Sequence, residues 1–285
     1  MNKRKFLTLT LSALLTSVPF VSCGDDDDEP DNPNGTDNPN ELPQLRSIES
    51  YGIALFTFGY NSSGQLTQIK PGSMFADEIE KVEISYNPLK IKIGGIDGED
   101  DTLLTDISTN SQGFITSMTC TEEGYSFRMN LSYNTSGNLT KITYSDDNTS
   151  TTFTWNGGKL TSVVDDENNL YEYTYTNLAN TAGAFSPMWE PFGLYWMTGL
   201  FGTAPAYFPS SITTHEDNEI DQVGLAYKIN SNGTIAAEQM TYEGETITMT
   251  YKYSASKALE ETGDPTSAQQ IKLPQFKSIF KNHRK

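Results

Sequence analysis

One ten-residue phrase recurs along the chain, and it limits the possible folds more than any other feature. Its two clearest copies are Tyr60 to Ile69 (YNSSGQLTQI) and Tyr133 to Ile142 (YNTSGNLTKI). The Asn favours the first position of a type I turn, two polar residues occupy the centre, and the Gly tolerates the left-handed conformation that closes a G1 bulge. Each copy is therefore predicted to be the tip of a β-hairpin.

Weaker copies of the phrase follow the same plan. Trp155 to Val163 is one residue shorter through the turn, residues 110–115 keep the turn, and Ile229 to Ile235 keeps both flanks. Self-similarity at intervals of about 20 to 50 residues is typical of repeat architecture. The sequence thus predicts a series of hairpins rather than a single one.

Between the tips, side chains alternate in character, as in Tyr171 to Tyr175 (YEYTY) and Ile247 to Tyr253 (ITMTYKY). Strict alternation predicts strands with one buried and one solvated face. We therefore predict an all-β fold, a curved antiparallel meander of repeated β-hairpins over residues 45–253, with a short helical or aromatic insert. Such a sheet must curl, close or be covered, since it would otherwise expose its apolar face and its edge strands.

The first 22 residues have the pattern of a secretory signal. Lys3 to Lys5 are basic, Phe6 to Phe20 form an apolar stretch of 15 residues, and Ser22 precedes Cys23. About 20 apolar residues are needed to span a bilayer, so this stretch is predicted to be cleaved. Residues 20–23 (FVSC) resemble a bacterial lipobox with Phe at the usual Leu position. The resemblance implies that Cys23 is acylated, as by palmitate, and that the membrane is a partner through this lipid anchor.

Acidic residues follow Cys23 directly, in the run Asp25 to Glu29. This run resembles the export signal of Bacteroidota surface lipoproteins, which implies an outer-membrane, surface-exposed location; the alternative is a merely solvated tail. Residues 23–44 hold eight acids and four prolines, a composition that predicts an acidic disordered tether. Without residues 1–22 the chain has 16 Lys and Arg against 37 Asp and Glu, a net charge of −21. Nucleic acid is therefore excluded as a partner, because phosphate binding needs a basic surface and the only basic cluster is in the C-terminal tail, 254–285.

The pattern Tyr-x-x-x-Gly-x-Leu-x-x-Ile at Tyr133 to Ile142, followed by Trp155, resembles the YD (Rhs) repeat, whose hairpins spiral into a sheet. The chain has Asn where that repeat usually has Asp, few copies and irregular spacing. Together with the lipobox and the acidic run, the chain resembles domain-of-unknown-function family 4595 of Bacteroidota lipoproteins. That resemblance implies a β-rich surface lipoprotein without an established activity.

An apolar segment, 178–211, interrupts the strand rhythm with a single charged residue, Glu190. Its Pro191 and Gly193 disfavour a long helix, although two helical turns are possible after them. Its aromatic residues predict either a plug over the apolar face of the sheet or a platform for sugar rings or a partner protein. The residues of that second interpretation are Trp189, Tyr195 and Trp196.

Common catalytic and metal motifs are missing from the sequence. It has two histidines, His215 and His283, and no Cys-x-x-Cys, His-Glu-x-x-His or Gly-x-Ser-x-Gly. We expect no cofactor and no metal, a solvated loop position for His215, and a buried, apolar role for Cys120. Thr102, in Asp101-Thr102-Leu103, resembles a Bacteroidota O-glycosylation site or is a plain strand-edge residue. Pairs of carboxylates could serve a glycosidase, but the acidic clusters are predicted to lie in turns and loops.

The sequence therefore predicts a non-catalytic outer-membrane surface lipoprotein that acts as a binding or accessory module for glycan or protein ligands. The alternative is a carboxylate-based hydrolase anchored at the cell surface. The two differ in an observable way, because a hydrolase needs two converging carboxylates in a concave pocket.

Overall fold

A computed structural model describes residues 43–72, 81–94, 102–122, 124–189, 191, 193–216 and 219–254. The signal peptide, Cys23, His283 and nearly all of the tether and of the C-terminal tail lie outside these residues. Within the described ranges, the chain forms sixteen β-strands and one four-residue helical turn. They are β1 (Leu45–Ser50), β2 (Ile53–Tyr60), β3 (Leu66–Pro71), β4 (Lys81–Tyr86), β5 (Leu89–Gly94), β6 (Thr102–Thr109), β7 (Ile115–Glu122), β8 (Tyr125–Tyr133), β9 (Leu139–Tyr144), β10 (Ser150–Asn156), β11 (Lys159–Val164), β12 (Leu170–Ala179), α1 (Gly193–Trp196), β13 (Tyr207–Glu216), β14 (Glu219–Ile229), β15 (Ile235–Tyr242) and β16 (Glu245–Tyr253).

Every strand pairs antiparallel with its neighbours in sequence, and β1 pairs with β16 to close a barrel. The closing register brings Ile48 opposite Tyr251, at the two ends of the described chain. The prediction of an all-β meander of hairpins is confirmed. Of the three outcomes that the sequence left open for the sheet, closure is the one adopted, and closure leaves no edge strand to aggregate.

The recurring phrase forms the predicted hairpin tips. Gly64 has φ of 76° and donates its N–H to the carbonyl of Asn61 at 3.0 Å. The Asn61 Oδ1 accepts from the N–H groups of Ser63 and Gln65, both at 3.0 Å, and the strand register shifts by one residue beside the turn. A second backbone hydrogen bond runs from the Asn61 N–H to the carbonyl of Gln65 at 3.0 Å. The same two backbone hydrogen bonds close the turns at 110–114, 134–138 and 230–234.

Because successive strands run in opposite directions, alternate connections lie at the same end of the barrel. One end, which we call the plug end, carries these Gly turns, the two-residue turn Gly157-Gly158 and the long connection 180–206. Gln44 and Ser254 also lie there, joined by a backbone hydrogen bond of 2.8 Å. Both ends of the described chain therefore leave the barrel at the plug end.

Aromatic residues near the ends of even-numbered strands tie neighbouring hairpins together at the plug end. The Tyr133 hydroxyl donates to the carbonyl of Ile115, and the Trp155 indole N–H donates to the carbonyl of Leu139, each at 2.7 Å. Two further ties join Tyr86 to Leu66 at 2.8 Å and Tyr175 to Leu160 at 2.9 Å. Each tie satisfies a carbonyl at the start of the preceding strand, and two of the four residues, Tyr133 and Trp155, open copies of the recurring phrase.

Candidate functional site

The connection 180–206 packs across the plug end and is held by the hairpin tips. The Thr203 N–H donates to the carbonyl of Gly137 at 2.9 Å, and the Ala206 N–H donates to the carbonyl of Gly158 at 2.8 Å. The Ile115 N–H donates to the carbonyl of Leu200, also at 2.9 Å. Strands β12 and β13 extend into both flanks of the predicted insert, because Ala179 pairs with Tyr207. The remaining connection is therefore a plug fastened to the barrel through its backbone.

The aromatic side chains of the plug are buried. Trp189 is 1% exposed, and Tyr195 and Trp196 are each 2% exposed. Trp196 stacks on Phe185 with ring centroids 5.7 Å apart, and Trp189 meets the edge of Phe208 at 6.2 Å. The prediction that the three rings form an exposed ligand platform is therefore wrong, and the plug interpretation is correct. The physical reason is that a ring packed over the apolar interior of the barrel removes apolar surface from water and so lowers the free energy of the folded state. A ring turned to water gives no such gain.

A buried polar cluster joins the plug to the barrel wall. The Ser186 hydroxyl in the plug donates to Oε2 of Glu238 on β15 at 2.5 Å. The Tyr251 hydroxyl on β16 donates to the same oxygen at 2.6 Å. Tyr227, the cross-strand neighbour of Glu238, accepts a hydrogen bond from the Trp189 indole N–H at 2.9 Å. This cluster fixes both the position of the plug and the rotamers of its aromatic residues.

Glu238 is fully buried, and its Oε1 has no hydrogen-bond partner among the described residues. Burial raises the pKa of this carboxyl, although the hydrogen bonds from Ser186 and Tyr251 oppose the shift. Burial also raises the pKa of Tyr227 and Tyr251 well above the ordinary value, with the Glu238 charge as the second cause. Loss of a proton from any member would leave a charge in an apolar interior, so the cluster favours its neutral form.

Sequence reasoning missed Glu238. Its signal was the alternation along β15, since Met240 faces inward and a residue two positions earlier must share that face. The cluster has the residue types of a hydrolytic site, a Ser beside a carboxylate. A substrate has no access to it, however, because Ser186 of the plug and Glu238 and Tyr251 of the barrel wall are all buried. A substrate could not reach the Ser186 hydroxyl in this arrangement.

The other predicted residues are placed as follows. Cys23 lies outside the described residues. Thr102 is the first residue of β6, pairs with Ile93 and is 2% exposed. This position agrees with the strand-edge alternative, and a buried threonine does not favour glycosylation. Cys120 is buried as predicted, and burial raises the pKa of its thiol to about 12.

His215 lies on strand β13 rather than in a loop, which corrects the predicted position. Its Nε2 lies 2.9 Å from Oε2 of Glu172 on the outer wall of β12. Asp165 is buried in a turn, where its Oδ1 accepts from the N–H groups of Glu167 and Asn169. Across the described part of the chain, no group of three or more His, Cys, Asp or Glu side chains is placed to hold a metal ion.

The outer wall of the barrel is polar and its interior is apolar. The buried core consists of aliphatic and aromatic side chains that point inward from every strand. The outward positions carry mostly Thr, Ser, Gln and charged residues, as in the cross-strand pairs Thr57–Lys70, Glu83–Lys92, Thr119–Arg128, Ser132–Lys141, Thr213–Gln222 and Gln239–Thr248. Large apolar side chains such as Leu103 and Ile220 are isolated exceptions on this wall. Within the described residues, no helix is long and apolar enough to cross a membrane.

A groove of about 470 Å³ lies on this outer wall over strands β2 to β6. Glycine at position 59 leaves its floor without a side chain, and a Cβ there would lie 3.3 Å from the Cβ of Gln68. Glu83 pairs with Lys81 at 2.6 Å beside the groove. The polar and charged residues that line it are Thr67, Gln68, Glu83, Ser85, Lys90 and Lys92. This groove, unlike the buried cluster, is open to a ligand from water.

Comparison with known proteins gives fold relatives only. No family model matches the chain, and no curated protein matches it. A porin-like protein from Bacteroides uniformis ATCC 8492 has a TM-score of 0.51 and 18% identity, over 74% of this chain and 95% of that chain. A porin-like protein from Bacteroides vulgatus ATCC 8482 has a TM-score of 0.43 and 11% identity, over 74% of this chain and 99% of that chain. The first likeness shows a shared barrel fold.

Proposed function

We propose that the chain is a non-catalytic lipoprotein of the outer membrane, held by acyl chains on Cys23, whose barrel stands in water as a binding or accessory module for a glycan or protein. The polarity of the barrel wall is the observation that carries this proposal. A barrel that spans a membrane needs an outward apolar band about 25 Å tall, flanked by aromatic girdles, around a polar interior. Here the polarity is reversed on both sides of the wall.

The interior gives a second argument, which concerns transport. A channel needs a water-filled lumen lined by polar side chains. In this barrel the lumen is filled by apolar side chains, and the plug covers one end. The fold relative from Bacteroides uniformis is described as porin-like, which supports a barrel protein of the outer membrane. We propose that this chain keeps the barrel but conducts nothing, and that it belongs to domain-of-unknown-function family 4595, which its lipobox and acidic run resemble.

The catalytic alternative has less support. A glycosidase needs two carboxylates about 5 to 10 Å apart on either side of the scissile bond. Among the described residues that line the open groove, Glu83 is the one carboxylate. The buried Glu238 is separated from solvent by the plug. We therefore favour binding over hydrolysis.

The test compares the two cysteine variants of the chain in its cell envelope. Cys23→Ala should move the protein from the detergent phase to the aqueous phase in a Triton X-114 partition, because the variant lacks the thiol that carries the proposed acyl chains. Cys120→Ala, the matched control, should leave partition unchanged, since Cys120 is buried in the barrel. The purified wild-type protein should give no conductance steps in a planar lipid bilayer. Retention of Cys23→Ala in the detergent phase, or regular conductance steps, would contradict the proposal.

A further inference from the structure

We propose that the outer-wall groove over β2 to β6 binds an anionic sugar chain, one whose rings carry carboxylate or sulfate groups. This inference rests on the proposed function and names the ligand class of its binding module. It depends on three properties of the groove, which are its shape, its charge and the type of its polar groups.

The shape depends on Gly59. This residue lies on the outward face of β2, opposite Gln68 of β3. A Cβ at this position would also lie 3.7 Å from Oγ1 of Thr67, so any larger residue would fill the floor of the groove. The φ of Gly59 is not positive, so no turn or bend demands glycine there. Glycine at this position therefore provides space in the groove, and it is not required by the backbone conformation.

The charge of this wall is opposite to that of the chain. The full sequence has a net charge of −18, yet the outward faces of β3, β4 and β5 carry four lysines and one glutamate. The lysines are Lys70, Lys81, Lys90 and Lys92. Lys90 and Lys92 line the groove itself and are exposed. A local excess of positive charge attracts anionic ligands, even on a protein whose net charge is negative.

The remaining polar groups suit hydroxyls. Thr67, Ser85 and Gln68 provide hydroxyl and amide groups that both donate and accept hydrogen bonds along the groove. Sugar rings present hydroxyls of the same dual character at regular intervals. A volume of about 470 Å³ falls in the range of about 300–1,000 Å³ that is typical of small-ligand sites. Lysine ammonium groups then pair with the acidic substituents of the rings.

Binding should be measured by calorimetry with the purified full chain, against polygalacturonate and chondroitin sulfate as acidic probes. Dextran serves as the neutral probe, and poly-glutamate serves as an acidic chain without sugar. We expect at least one acidic polysaccharide to bind, dextran to bind not at all, and poly-glutamate to bind at least about tenfold more weakly than the polysaccharide. The difference tests whether the site recognises sugar hydroxyls in addition to charge.

Two groups of variants test the site. Lys90→Gln with Lys92→Gln should weaken binding by about tenfold or more, as the loss of charge-assisted hydrogen bonds does. Gly59→Val should weaken it comparably without changing the charge. Lys141→Gln with Lys252→Gln, on exposed outward positions of β9 and β16, should leave binding within about twofold. Because surface Lys→Gln changes rarely affect folding, the lysine comparison remains decisive even if Gly59→Val is unstable.

Several results would overturn this inference. They are no binding of any acidic polysaccharide, equal binding of dextran or poly-glutamate, and equal losses in the two lysine pairs. A Gly59→Val chain that melts normally and binds like the wild type would overturn it too. None of these results affects the partition of Cys23→Ala, so the proposed function can survive them. Conversely, retention of Cys23→Ala in the detergent phase would overturn the proposed function, whatever the groove binds.

Discussion

Replacing Glu238 with glutamine should remove a pH-dependent loss of stability from this protein. The carboxyl is fully buried, and burial raises its pKa above the ordinary value of 4.5. The folded state therefore holds a proton that the unfolded chain releases once the pH exceeds about 4.5. The free energy of unfolding must therefore fall as the pH rises from about 4.5 to the folded-state pKa. In this range only the unfolded chain releases the proton, and a rising pH favours the state that releases it.

The magnitude follows from linkage. Within that pH window the wild type should lose about 1.4 kcal/mol of unfolding free energy per pH unit relative to Glu238→Gln. The amide can still accept the hydrogen bonds from Ser186 and Tyr251, but it places an NH₂ group where Oε1 has no partner among the described residues. That substitution costs about 1–3 kcal/mol at every pH. The wild type should be the more stable protein at pH 4.5, and its advantage should shrink or reverse by pH 8.

The assay is urea unfolding of both proteins by tryptophan fluorescence at half-unit steps from pH 4.5 to 8. The high negative charge of the chain adds its own pH dependence, but this background is shared and cancels in the difference between the two proteins. Glu219→Gln, at an exposed position of β14, is the control and should follow the wild type. Parallel curves for wild type and Glu238→Gln would refute the reasoning, because they would mean that folding does not perturb this carboxyl.

Three further outcomes are expected. Gly137→Ala should lower the free energy of unfolding more than Gly124→Ala, although the two glycines have nearly equal φ values of 79° and 78°. A Cβ on Gly137 would lie 2.8 Å from a neighbouring hydroxyl, whereas a Cβ on Gly124 would have nothing within 4 Å. Equal urea midpoints would contradict this. Tyr133→Phe should lower stability by about 1 kcal/mol by leaving the Ile115 carbonyl without its 2.7 Å hydrogen bond; an unchanged thermal midpoint would show that the tie contributes nothing. Cys120 should resist maleimide at pH 8 in the folded protein and react in urea, since burial raises the pKa of its thiol to about 12; rapid labelling of the folded chain would show that the barrel opens.

Local features of the fold could be predicted because each depends on a few adjacent residues. The turns at Gly64 and Gly137 follow from Asn and Gly at fixed offsets, and the inward position of Cys120 follows from alternation within one strand. The two alternatives for Thr102 could not be separated from the sequence, because a three-residue motif carries no information about which face of the strand it occupies. Glu238 was overlooked because a charged residue at an inward position contradicts the usual pattern.

The sequence by itself determined that this chain forms consecutive hairpins with one apolar face, since turn chemistry and side-chain periodicity act over ten residues or fewer. Only the tertiary structure decided that β1 meets β16, that the connection 180–206 turns its rings inward, and that Lys90 and Lys92 share a groove with Gly59. These arrangements join residues that are far apart in the chain or on different strands. The free energy that stabilises these arrangements comes from burying apolar surface and pairing polar groups once the barrel has closed. A local sequence pattern does not contain this contribution.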